Sequence, residues 1–375
     1  MIYIKELIEY RRHFHKYPEI GFNTGETIKY IIGILNNIEY NKDIISLKLN
    51  RIDNNLIVTL STKPSTILGF RADIDALKIK EETSLEFKST NNYMHACGHD
   101  AHSAITLRVI TYLLNNPCIL NGTVRFIFQN AEEGPDNGGA YYLMDNNEVK
   151  EIETIYALHV NSELEPNTVY YKYNEIMASS NCFKIELFGK ASHITRYNEG
   201  IDVLKVGNKI YHKINKIKTN NLIYMGTFNS GTTTNIVPDY TKIEGSIRTF
   251  YLSDFRYIYY KISQIVKRYS KNNKYLISYN NGYPSVINNK DSVDLLVRCC
   301  NKINLKHILL NKPLFLSDDF SRYSKNSRIC YFFIGTKFIN NTPLHSSNFM
   351  IDEKSLKTGF DIYLELIKNY PFRYV

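Results

Sequence analysis

No stretch of the 375 residues approaches the roughly 18 consecutive apolar positions of a membrane span. The opening segment, Met1 to Lys16, carries acids and bases throughout and lacks the pattern of a secretory signal. Both absences lead us to expect a soluble, cytoplasmic protein that does not engage a membrane. Cysteines in disulfide-framework or zinc-module spacing are missing too. The six that occur (Cys97, Cys118, Cys182, Cys299, Cys300, Cys330) are scattered, and all but Cys97 are expected as free thiols in the core. A continuous basic stripe is also lacking. The formal charge of +9 is spread over short Lys/Asn stretches such as Asn215 to Asn221 and Lys267 to Lys274, beside helix-like patterns, which argues against nucleic acid as a partner. What remains is a globular chain long enough for two domains and a large core.

Within it, Met94-His95-Ala96-Cys97-Gly98-His99-Asp100-Ala101-His102-Ser103 concentrates three histidines, a cysteine and an aspartate. Imidazole and thiolate bind borderline-soft metals well, and Gly98 lets Cys97 and His99 turn toward one centre. A metal-binding loop is one reading of the stretch. The other is a polar turn capped by Asp100 or Ser103 ahead of a helix over Ala101 to Leu114.

Other segments read as elements that lead to this loop. Helical spacing covers Ile2 to His15 and Thr24 to Leu35; His13 and His15 are expected on the solvent side as structural residues. Strands are expected at Asn55 to Leu60 and Thr66 to Arg71, the second running into Asp73 and Asp75. Asp73 is either a loop cap or the carboxylate that holds a ligating histidine in its tautomer. The apolar run Gly122 to Gln129 leads into Asn130-Ala131-Glu132-Glu133-Gly134, where one glutamate can bind metal while its neighbour faces the water to be activated. Ile152 to Leu158 ends in His159. Three strands, each read as preceded by helix-like sequence, thus deliver acids and a histidine at carboxyl ends, which share one edge in a parallel α/β sheet.

From Cys182 to Tyr283 the order becomes strand, helix, strand, strand, helix, strand. This βαββαβ pattern is that of a small ferredoxin-like domain. The expected organisation is a catalytic domain over residues 1–178 and 285–375, an α/β fold with a mostly parallel sheet flanked by helices, interrupted by a lid or dimerisation domain at 179–284. The resumed part offers a helix (Asp291 to Ile303), the Ser317-Asp318-Asp319-Phe320-Ser321 loop, a strand (Cys330 to Gly335), His345 in a loop, and a closing helix from Asp352 to Lys368.

Six ordered stretches carry a resemblance across nearly the whole chain: Arg11-Arg12-His13-Phe14-His15-Lys16-Tyr17-Pro18-Glu19, Arg71-Ala72-Asp73-Ile74-Asp75-Ala76-Leu77, His95 to His102, Ala131-Glu132-Glu133-Gly134, Leu158-His159-Val160, and Thr234-Asn235-Ile236-Val237-Pro238-Asp239. Together they resemble the signatures of the aminoacylase-like metallo-amidohydrolases, a family that includes hippurate hydrolases, N-acetyldiaminopimelate deacetylases and plant auxin-conjugate hydrolases. The resemblance implies two divalent metal ions (Mn, Zn, Ni or Co) on Cys97, His99, Glu133, His159 and His345, with Glu132 as general acid and base. It implies lid residues at His193, Asn235 and Arg248, the last gripping a substrate carboxylate, and a homodimer or higher oligomer made through the lid. Ala191-Ser192-His193-Ile194 and Ser317-Asp318-Asp319-Phe320 depart from the family's usual wording without touching the metal set.

The implied reaction is hydrolysis of the amide bond of a small N-acyl amino acid. Glu132 takes a proton from the attacking water, and His193 donates to the tetrahedral oxyanion. A carboxypeptidase or dipeptidase would use the same residues. A non-catalytic binding protein would have no need of Glu132.

Overall fold

The computed structural model describes residues 2–134, 137–271, 273–338 and 342–374. The chain forms two compact units, one of Met1–Ile176, Ile287–Pro313 and Asp319–Val375, the other of Met177–Val286 and Leu314–Asp318.

The first unit is built on a mixed sheet of β1 (Ser46–Ile52), β2 (Asn55–Ser61), β3 (Ile67–Asp73), β4 (Thr123–Gln129), β5 (Ile152–Asn161), β6 (Val169–Tyr171), β13 (His307–Leu309) and β14 (Arg328–Gly335). Their order is β1-β2-β4-β3-β5-β14-β6-β13. The four central strands β4, β3, β5 and β14 are mutually parallel. They are also the most apolar stretches of the chain, because helices cover both faces and no solvent-facing alternation is needed. At the middle of the sheet, Phe70 is fully buried against Phe126, Tyr156 and Tyr363, with ring centroids at 5.5, 6.1 and 4.4 Å.

The expected strands occur, with one difference in connection. β3 is preceded by a hairpin: β1 pairs antiparallel with β2, and β2 in turn with β4. Of β3, β4 and β5, the last two follow helical segments and β3 does not. β1 lacks a clear strand signal because it is a half-exposed edge strand, with Lys48, Asn50 and Arg51 interrupting Leu47, Leu49 and Ile52. β6 and β13 are three residues each, too short for a periodic signal.

Helices α1 (Ile2–Lys16), α2 (Gly25–Asn36), α3 (His99–Asn115), α8 (Lys290–Lys302) and α9 (Leu356–Asn369) belong to this unit, with the single turns α4 (Ala140–Leu143) and α5 (Asn147–Lys150). On α1 the buried residues are Leu7, Arg11, Phe14 and His15, spaced i, i+4, i+7 and i+8 along one stripe. His15 is therefore in the interior, contrary to the expectation that it faces water. His13 is half-buried and stacks on Tyr30 at 3.4 Å. α9 starts at Leu356 because Asp352 caps a separate 3-10 turn, accepting from Lys354 N at 3.0 Å.

The second unit is a four-stranded antiparallel sheet, β8 (Ser180–Phe188), β9 (Leu222–Ser230), β10 (Tyr240–Arg248) and β11 (Tyr275–Tyr283), in the order β11-β8-β10-β9. α6 (Val203–Ile214) and α7 (Leu252–Ser270) pack on it around a separate core of Phe183, Ile185, Leu187, Ile243, Ile210 and Ile262. Period-2 alternation along β8 puts Phe183, Ile185 and Leu187 inside and leaves Cys182 outside; with Cys118, also exposed, it corrects the expectation of core thiols. α6 begins at Val203 because Asp202 caps it through Lys205 N at 3.1 Å. Two short strands, β7 (Asn174–Met177) and β12 (Val286–Asn288), lie where the chain passes from one unit to the other. Among the described residues no helix is long and apolar enough to cross a membrane.

The aromatic stack dates the sheet's stability to one position. Phe70→Ala should destabilise the protein by about 3–5 kcal/mol, read as a lowered urea midpoint with an unchanged slope.

Candidate metal centre

The parallel strands end at one edge, and their register levels Asp73 with Gln129. Beyond those ends the chain supplies Asp75 from the β3 exit, Glu132 and Glu133 from the β4 exit, and His159 from the last turn of β5. Cys97 and His99 come from the entry to α3, and His345 from the loop after β14. Cys97, His99 and His159 offer donor atoms that all lie within 4.8 Å of one another, and so do Cys97, Glu133 and His345. Cys97 belongs to both groups, so the five residues form two adjoining donor sets.

Each donor is oriented by its neighbour. His99 Nδ1 donates to the Asp75 carbonyl at 2.8 Å, which makes Nε2 the nitrogen available to a metal; it is buried and has no hydrogen-bond partner. His159 Nδ1 donates to the Val160 carbonyl at 2.6 Å, turning its Nε2 to within 3.4 Å of Cys97 Sγ. Glu133 Oε1 is buried without a bond of acceptable geometry, although His345 Nε2 approaches it to 3.0 Å. His345 is half-exposed, so the cluster opens on its side. Gly98 turns the loop with φ +90°, and a Cβ there would stand 2.3 Å from Val160 Cγ2. Ala131, just before the glutamates, and His345 hold left-handed φ values of 53° and 63°. Backbone strain of this kind persists only where surroundings impose it.

Two residues that the sequence reading passed over complete the frame. The Asp75 carboxylate accepts Glu132 N at 3.0 Å and Glu133 N at 3.1 Å, fixing the loop that carries both glutamates. His102 accepts Val160 N on Nε2 at 2.9 Å and so carries its proton on Nδ1, which donates to Asp73 Oδ1 at 2.5 Å. Both nitrogens of His102 are thus engaged. Asp73 was expected to fix the tautomer of a ligating histidine, but its bonded histidine is His102, while the Asp75 carbonyl serves His99. Asp73 Oδ2 stands 3.6 Å from the open nitrogen of His99 and is tied to Arg71 Nη1 at 2.7 Å. Arg71 also reaches Asp319 at 2.8 Å and Gln129 at 3.0 Å in a fully buried network. Spacing could have flagged His102, three residues after His99 on one helix face. The role of Asp75 depends on a loop 57 residues away and left no local signal.

The electrostatics call for a cation. Burial opposes it, yet Asp73, Asp75 and Glu133 push His99 up to about 10. Burial, then Glu133, Glu132 and Asp73, push the Cys97 thiol well up. Burial together with His102 and His99 keeps His159 far below the ordinary imidazole range, as the neutral ring that a metal needs. Against burial, His345 and His99 hold Glu133 below the usual carboxylate range. A buried set of open lone pairs and crowded negative charge fits divalent ions, which favour thiolate over thiol and neutral imidazole over imidazolium.

His193, Asn235 and Arg248 lie in the second unit. His193 heads a 3-10 turn (Ile194–Glu199), exposed, its Nδ1 accepting from Thr195 N at 3.3 Å, so that Nε2 carries the proton. Asn235 is on the neighbouring segment: its carbonyl accepts Ile194 N at 3.0 Å and its side chain accepts from Thr233 at 2.9 Å. Arg248, at the end of β10, bonds Ser317 Oγ.

Fold and donor set are those of a metal-dependent hydrolase. The chain belongs to Peptidase family M20/M25/M40, whose description matches residues 69–369. Thermostable carboxypeptidase 1 of Saccharolobus solfataricus is 30% identical over 373 residues, covering 94% of this chain and 92% of that protein. The N-acetyldiaminopimelate deacetylase of Bacillus velezensis is 28% identical over 379 residues, covering 98% and 99%. Among solved structures, a dinuclear metal binding peptidase of the M20 family from Bacillus subtilis superposes with a TM-score of 0.86 at 25% identity, over 98% of each chain.

Asp75→Asn keeps the shape of the bracket but turns an amide NH2 toward one of the two backbone donors. It should lower kcat about 10- to 100-fold with little change in far-UV circular dichroism; an unaltered rate would mean that the Glu132 loop is held by other contacts.

Proposed function

We propose that this protein hydrolyses the amide bond of small N-acyl amino acids, with Cys97, His99, Glu133, His159 and His345 holding two divalent metal ions. The observation that carries the proposal is the buried, unpartnered His99 Nε2 beside Cys97, His159 and Glu133. The deacetylase and carboxypeptidase names of the relatives, and the dinuclear metal binding of the Bacillus subtilis neighbour, support it. Mixed sulfur, nitrogen and oxygen donors suit Mn, Zn, Co or Ni.

Bound divalent ions supply the positive charge that lowers the pKa of a water from about 15.7 to about 7 and polarises a carbonyl. The remaining steps fall to the chain. Glu132, fixed by the Asp75 bracket beside Glu133, takes a proton from the attacking water and delivers it to the departing amine nitrogen. Glu133 stays deprotonated as a ligand. His99 and His159 each present Nε2 to the metal because Nδ1 is committed to a backbone carbonyl. From the lid, His193 donates its Nε2 proton to the oxyanion, Asn235 supplies a second polar contact, and Arg248 exchanges Ser317 for a substrate carboxylate.

A carboxypeptidase acting through the same residues is the second reading, favoured by the Saccharolobus relative. We place the enzyme in the cytoplasm, where six free thiols persist. We also propose a homodimer through the lid: β9 is an edge strand of the second unit, with Leu222 and Tyr224 exposed on it.

Release of free amino acid from N-acetyl, N-benzoyl and dipeptide panels separates the two readings, and chelation should abolish activity that Mn²⁺, Zn²⁺, Co²⁺ or Ni²⁺ restores. Full turnover by verified metal-free protein would refute the proposal. Glu132→Gln should retain metal and substrate binding while kcat drops by about two powers of ten or more. Glu133→Gln should instead lose metal affinity, with partial rescue by added metal. The reverse pattern would exchange the two roles. His193→Ala should reduce kcat by about two to three powers of ten at normal metal content.

A further inference from the structure

The motif Arg11 to Glu19 has no part in the chemistry above, yet two of its residues are among the most deeply buried polar groups of the chain. Arg11 is 1% exposed and His15 is 0%. Both converge on Asp100: Arg11 Nε donates to Asp100 Oδ2 at 2.8 Å, and His15 Nδ1 lies 2.8 Å from the same oxygen. On its far side, His15 Nε2 lies 3.2 Å from Glu81 Oε1. Carboxylates only accept, so both ring nitrogens act as donors. Glu81 is fixed in turn by Ser89 N at 2.6 Å and by the Thr83 hydroxyl. Arg11 Nη1 reaches Glu353 at 3.1 Å, which Arg12 also binds at 2.7 Å. The Phe87 ring closes the group, edge-on to His15 at 5.6 Å and beneath the Arg11 guanidinium at 5.2 Å.

Asp100 is the second residue of α3, immediately after His99. Successive helix positions project about 100° apart, so the turn that aims His99 at the donor cluster aims Asp100 into α1. The entry to that turn is Gly98, in a left-handed conformation that glycine adopts without fixing its neighbours strongly. Its N-cap makes no side-chain hydrogen bond. Beyond the cap, His99 and His102 hold the first turn on the side of the sheet, and the two-donor grip on Asp100 holds it on the side of α1.

We infer that Arg11 and His15 are positioning residues for the metal-binding turn: through Asp100 they set where His99 points, and thereby metal affinity and turnover, without touching substrate. The inference rests on the metal reading of the preceding section. It assigns α1 to the machinery of the site, with Glu81 and Glu353 holding the two side chains that grip Asp100.

The test measures Zn²⁺ or Mn²⁺ affinity of metal-stripped protein by chelator competition, beside kcat and KM, and thermal unfolding of the stripped protein to register folding. His15→Gln should weaken metal affinity about 10-fold or more and lower kcat, with KM within about two-fold of wild type. Arg11→Lys, which keeps the charge but not the fork, should act in the same direction. His13→Gln, one turn-neighbour away and stacked on Tyr30, should change none of these. A folded His15→Gln protein with wild-type metal affinity and kcat would overturn the inference. Should that variant not fold, Glu81→Gln takes its place, with a smaller loss expected in the same direction and an unchanged affinity counting against the inference. Failure of the wild-type protein to bind either ion would sink the metal reading itself, a separate outcome.

Discussion

The structure depends on crowding negative charge and metal-binding lone pairs at one largely buried sheet edge. Asp73, Asp75, Glu132, Glu133 and Cys97 meet at one sheet edge, and burial of so many acids is unfavourable unless positive charge joins them. Arg71 answers part of that demand through Asp73 and Asp319, and His99 answers another part by holding a proton tightly. His99 Nε2 faces the same space as Cys97, His159 and Glu133, which gathers several donors around one point. A divalent ion does what a proton cannot there, since it accepts several ligands at once and favours thiolate over thiol.

This demand explains features that would otherwise be costs. A left-handed Ala131, a left-handed His345 and a glycine whose missing Cβ is required by Val160 all place donors that regular structure would point elsewhere. Rigid surroundings maintain them: the Asp75 bracket, the committed second nitrogens of His99, His102 and His159, and the buried Arg71 network. Preorganisation of this kind is what the proposed division of roles requires, with Glu132 moving a proton and Glu133, one residue on, holding metal.

Much of this was legible in the chain. Val124-Arg125-Phe126-Ile127-Phe128 announces a central strand because both its faces are covered, and the acids that follow it then must sit at the sheet edge. The βαββαβ order of the second unit is written in alternation along β8 and in the Asp202 cap of α6. His15 was misplaced because its neighbours are charged; only the i, i+4, i+7, i+8 stripe shows its side, and that stripe includes an arginine that ordinarily argues for solvent. Asp75 and His102 were passed over since their partners, the Glu132 amide and the Val160 amide, arrive from distant strands. The β1–β2 hairpin ahead of β3 was missed for a different reason: an edge strand with polar positions has weak amphipathic contrast.

The central claim is that Cys97 is a metal ligand at the junction of two donor sets. Titrating metal-stripped protein with Co²⁺ and following the near-ultraviolet thiolate-to-cobalt charge-transfer band tests it most directly. The account predicts a saturable band that is missing in Cys97→Ser while d–d absorption from the remaining donors persists. Cobalt binding with no such band in the wild-type protein, or a band unaffected by Cys97→Ser, would contradict it.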